Sequence, residues 1–122
     1  MSGPRSYPPQ NIQDRTFHFG VRVIKLVDRL PRRMGTEVVP RQLARSGTSI
    51  GANLREADGA ESHDDFVHKV KVARKEALES HFWLKLIHET VAQNDSEVIA
   101  LLDEVEQLGK ILYAIANSKK KP

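Results

Sequence analysis

Arg45, Ser49, Asn53 and Glu56 recur at i, i+4, i+8 and i+11. On a helix that spacing gathers the four on one face. Further along, Glu76 and Glu79 stand flanked by Arg74 and Lys75. A guanidinium is a planar fork matched to carboxylates, and an Asn side chain both donates and accepts. Two readings follow, and the sequence leaves both open. The stripe is the solvated face of an amphipathic helix. Or it is an interhelical network in which Arg45 and Asn53 bond carboxylates of a neighbouring helix and fix its register.

Other chemistries find little support. A di-metal bundle needs Glu-x-x-His pairs on two helices. No Glu lies three residues before any of the five histidines; Asp65-x-x-His68 comes nearest, and His81 and His88 stand seven apart. With no cysteine, thiolate zinc sites, thiol catalysis and disulfides are excluded. There is no G-x-S-x-G elbow and no phosphate-binding G-x-x-x-x-G-K-[ST]. The expectation is no catalytic residue, no cofactor, no metal and no small-molecule substrate.

Charge leaves one further possibility. Nineteen Lys and Arg against 16 Asp and Glu give a net charge of +3. The cations cluster at Arg32 and Arg33, at Lys69, Lys71, Arg74 and Lys75, and in the terminal SKKKP. These are either solvated faces or a phosphate-binding surface that oligomerisation would multiply. No platform of exposed aromatics, of the kind single-strand binders use, is expected. A helix-turn-helix reading fails because the third helix is too long and carries a core stripe.

The elements that must position these groups are all helical. The 122 residues suit one domain: a proline-containing leader over 1–13, a bundle over 14–117 and a basic tail over 118–122. The first helix is expected from Arg15 to Leu30, capped by Asp14, with Phe17, Val21, Ile24, Val27 or Asp28, and Leu30 as its stripe. The second is expected from Pro40 to Ala57, its many small residues letting a neighbouring backbone approach. The third starts after a Ser62–Asp65 capping pair and ends near Val91. The fourth runs from Ser96 to Asn117, capped by Asp95 or Ser96. Short connections make an all-α, antiparallel up-down-up-down four-helix bundle the natural architecture. Phe19, Val23 and Leu26 fall off the first helix's stripe, and Phe82 and Trp83 widen the third. This surplus points to self-association, with those residues as the candidate interface. No apolar run reaches the length of a membrane span, and the N-terminus lacks the apolar core of a secretory signal, so a cytoplasmic location is expected.

The stretches RQLARSGTSIGANLREADGAES and DDFVHKVKVARKEALESHFWLKLI resemble one family, the four-helix-bundle proteins first noted in reading frames inside 23S rRNA intervening sequences. These are similar in turn to the accessory protein of diversity-generating retroelements. Gln42, Leu43, Arg45, Ser49, Ile50, Asn53, Leu54 and Glu56 fit the first family stretch; Ala73, Glu76, Ala77, Glu79, Trp83 and Leu84 fit the second. Ser46 and Ala57 depart from it, where Ala and Gly are usual. The resemblance implies an antiparallel bundle assembled as a homo-oligomer, a ring-like pentamer in some members. It also implies, by analogy with the retroelement relatives, RNA or a nucleoprotein as partner.

Overall fold

The computed structural model describes residues 11–118. It contains α1 (Ile12–Asp28), α2 (Met34–Asp58), α3 (His63–Thr90) and α4 (Ser96–Ala116), with no strand among the described residues. The expected leader up to residue 10 and the tail over 119–122 lie outside them.

Three of the four starts have a side-chain cap. The Asn11 Oδ1 accepts from the Asp14 backbone N–H at 2.7 Å, so Asn11, not Asp14, caps α1. Ser62 accepts from the Asp65 N–H at 3.0 Å, as their spacing predicts. Asp95 accepts from the Glu97 and Val98 N–H groups at 2.9 and 3.1 Å. The start of α2 differs from expectation. It begins at Met34 without a side-chain cap, and Pro40 sits inside it, buried. A proline there removes one backbone hydrogen bond; its ring instead lines a cleft shared with Val27 and Leu30.

Each helix packs on two neighbours, in the cycle α1, α2, α3, α4 and back to α1, with no close backbone approach across the diagonals. Ion pairs read out the antiparallel sense. Arg15 meets Glu104 and Arg22 meets Glu97; Arg45 meets Glu79 and Lys69 meets Glu56. In both pairs of helices one number rises as the other falls.

The core is aliphatic, centred on Leu43, Ile50, Val70, Leu84, Ile87, Leu101, Leu108 and Leu112. The core face of α1 corrects the sequence expectation. Phe19, Val23 and Leu26 are fully buried, while Phe17 and Ile24 of the expected stripe stand exposed. The first helix carries apolar residues at helical spacing on two faces, and apolar periodicity alone does not choose between them. Its glycine and arginine partners choose: Gly20 lies against Thr48 of α2, and Arg15 and Arg22 reach α4. The small residues of α2 do admit α1 closely. A Cβ at Gly51 would stand 3.3 Å from the Thr16 backbone, and one at Gly47 3.0 Å from both methyls of Val23. On the other flank of α2, the buried hydroxyls of Ser46 and Ser80 bond each other at 2.8 Å.

Candidate functional site

Of the polar stripe on α2, Arg45 and Glu56 cross to α3. The Arg45 guanidinium donates to Glu76 Oε1 at 3.3 Å and to Glu79, and its Nε donates to Gln42 at 3.1 Å. Glu79 also accepts the indole N–H of Trp83 at 2.9 Å. That bond first, and Arg45 second, hold the Glu79 carboxyl below the usual carboxylate range. Glu56 accepts from Lys69 at 2.7 Å. Asn53 does not reach a carboxylate. Its amide donates to the Ser49 carbonyl at 2.8 Å, and the Ser49 hydroxyl to the Arg45 carbonyl at 2.6 Å. Both bond back onto their own helix. The Arg45 side chain keeps 46% of its surface exposed, so this is a clamp at the rim of the α2–α3 seam. Among the described residues, no group of three His, Asp or Glu could hold a metal ion.

A second set of forks, not expected from the sequence, closes the α1–α4 seam. Arg15 grips Glu104 at 3.0 and 2.7 Å, and Arg22 grips Glu97 at 2.9 and 3.1 Å. Arg29 grips Asp95 at 2.6 and 3.0 Å. The signal was present: Arg15, Arg22 and Arg29 stand at successive sevens, as do Glu97 and Glu104. With Arg29 and the backbone N–H groups of Val98 and Glu97 around it, the Asp95 carboxyl falls to about 2.

The expected interface divides. Phe19, Val23 and Leu26 belong to the core and offer nothing to a partner. The apolar surface of α1 is instead Phe17, 59% exposed, and Ile24. They flank a groove of about 480 Å³ between α1 and α2 to which Gly20 and Gly51 contribute. Trp83 is half-buried against the core. Phe82 is 55% exposed, its ring edge-on to Trp83 at 5.0 Å.

The expected cations also divide. Lys69 is drawn to Glu56, and Arg74 lies over the Tyr113 ring, 4.8 Å from its centre. Arg32 and Arg33 are exposed at the α1–α2 connection, away from the rest. Lys71 and Lys75 are exposed on α3. Beside them runs a second groove, of about 430 Å³, between α3 and α4. Ala77, Leu78, Val105 and Gly109 line it, together with Arg74, His81, Lys110 and Glu106. One expectation is overturned on this face: Phe82 and Tyr113, the latter 53% exposed, do present aromatic surface next to cations. Phe82, expected as a candidate interface residue, is open in the single protomer.

These features define a class: a small all-helical bundle locked by surface ion pairs, with two open grooves on opposite seams. No protein with a curated description matches the chain. The model of the family described as 23S rRNA-intervening sequence protein matches residues 10–114, and the chain belongs to that family. It is also similar to a crystal structure from Bacteroides thetaiotaomicron, described as a protein of unknown function from the S23 ribosomal protein family. Identity is 34%, covering 88% of this chain and 100% of that one, with a TM-score of 0.81.

Proposed function

We propose that this protein is a non-enzymatic, homo-oligomeric scaffold that associates with RNA or a nucleoprotein. The observation that carries the reading is the segregation of two surfaces. The apolar groove with Phe17 and Ile24 lies on the α1–α2 seam, and Lys71 and Lys75 lie on α3, diagonally opposite α1. Self-association through the first leaves the second facing outward and repeated, which multiplies phosphate contacts. A pentamer is the assembly the family resemblance supports. Light scattering on a sizing column tests the first half, with a mass near five protomers expected and a monomer fatal to it. RNA binding that weakens as salt rises, and weakens further when Lys71 and Lys75 are changed to Gln, tests the second. An absence of RNA binding at low salt would refute it.

A further inference from the structure

The exposed stripe of α3 has an order to it. Lys71, Lys75, Leu78, Phe82 and Lys85 follow one another at 4-3-4-3 spacing, and all five are exposed. That spacing keeps them on one side of the helix. Between Lys71 and Lys85 the stripe contains no carboxylate: Glu76 and Glu79 are turned toward Arg45, Glu106 sits across the groove on α4, and the exposed Asp64 and Glu89 of the same side lie beyond its two ends. Lys71 and Lys85 are about 21 Å apart along the axis at 1.5 Å per residue. Between them stands the Phe82 ring, braced edge-on by Trp83. Beside the stripe, Tyr113 is braced by Arg74.

We propose that this stripe binds single-stranded RNA, with a base stacked on Phe82 and phosphates on Lys71, Lys75 and Lys85. The proposal rests on the nucleic-acid reading above and makes it specific. A duplex keeps its bases stacked inside and would meet the convex outer side of this helix through phosphates alone, with no use for an exposed ring. An unpaired strand uses both features, since every base has a face that can stack and cations track the backbone. The stripe's length suits about four nucleotides, the short end of single-strand site sizes. Phosphate contact gives affinity and salt dependence; the ring gives preference for unpaired bases.

The test compares a labelled oligouridine with a duplex RNA of equal length, by fluorescence anisotropy across a salt series. The single strand binds more tightly. Phe82→Ala weakens it by about 5- to 100-fold, Phe82→Tyr restores it, and Phe82→Leu, which keeps apolar bulk without a stacking face, does not. Neutralising Lys71 and Lys75 flattens the salt slope by about 1.4. Trp83 is the sole tryptophan and touches Phe82, so its emission changes with the single strand and not with the duplex. Circular dichroism and solution mass show that the variants remain folded and assembled. Equal binding of strand and duplex, unmoved by Phe82→Leu, overturns the single-strand proposal and leaves the nucleic-acid reading standing. No binding of either form overturns both. A loss of assembly in Phe82→Ala, or displacement of RNA by an acidic amphipathic peptide at the α3–α4 groove, assigns the face to a protein contact and overturns the proposal.

Discussion

Replacing Gly47 by Ala sets two magnitudes against each other. Glycine inside a helix is worth about 1 kcal/mol less than alanine, so propensity alone predicts stabilisation. The added methyl would lie 3.0 Å from both Cγ atoms of Val23 and 3.3 Å from its Cβ. Val23 is fully buried, and rotating its χ1 brings one methyl into the place of the other, so it has nowhere to turn. Overpacking of that kind costs about 1–3 kcal/mol, and the net expectation is a loss of up to about 2 kcal/mol. Gly109, on α4, is the internal control. Nothing lies within 4 Å of its added Cβ, so Gly109→Ala should gain up to about 1 kcal/mol. At roughly 4 °C per kcal/mol for a domain of this size, the two variants should melt on opposite sides of the parent, at one fixed protomer concentration. Val23→Ala alone loses about 1.6 kcal/mol for two methyls, plus a cavity penalty. Combined with Gly47→Ala it should cost clearly less than the sum of the single changes. Chemical denaturation of the four variants gives the coupling. Stabilisation by Gly47→Ala equal to that by Gly109→Ala would refute the reasoning.

Other expectations concern the polar contacts and the open seam. The Asp95 carboxyl titrates at about 2 in the folded chain against 3.8 ordinarily, so its contribution is complete above about pH 4 and lost as pH falls toward 2. Asp95→Asn keeps a capping side chain and should remove that part of the acid dependence, whereas Asp95→Ala also forfeits the cap, about 1 kcal/mol by denaturation at neutral pH. Ser46→Ala or Ser80→Ala alone should cost about 1 kcal/mol by stranding a buried hydroxyl, and the double change less than the sum. Phe17→Ser with Ile24→Ser should leave the helical circular dichroism intact and lower the solution mass, because both side chains lie outside the core.

What was legible in the sequence follows how many independent signals agreed at each place. On α3, the Ser62–Asp65 pair, the Val70–Ala73–Ala77–Leu84 stripe and the length all pointed one way, and the helix is found there. On α1, two apolar faces competed, and the deciding partners were long-range: Glu97 and Glu104 on α4, and Thr48 on α2. Local periodicity contains neither. The start of α2 was misplaced because Pro40 mimics a first-turn residue, while Glu37 and Arg41 already form an i, i+4 pair across it. Within the polar stripe, residue type predicted the reach of Arg45. It did not predict that Ser49 and Asn53 would choose the nearer carbonyls of their own helix, which sequence distance favours over any tertiary partner. The exposure of Phe82 was legible: it stands two residues before the buried Leu84, about 200° round the helix.

The arginine forks on the α1–α4 seam resemble a vernier with a repeated scale. Two of them, Arg15 with Glu104 and Arg22 with Glu97, repeat every seven residues. Slid by one heptad, about 10 Å of helix, Arg22 would meet Glu104 and Arg29 would meet Glu97, so those marks alone admit two settings. Asp95 breaks the repeat. It stands two residues before Glu97, and it cannot travel because it also caps the start of α4. The last mark on the scale is therefore the one that makes the reading unique, and an aspartate whose first task is to begin one helix also sets where its neighbour must stop.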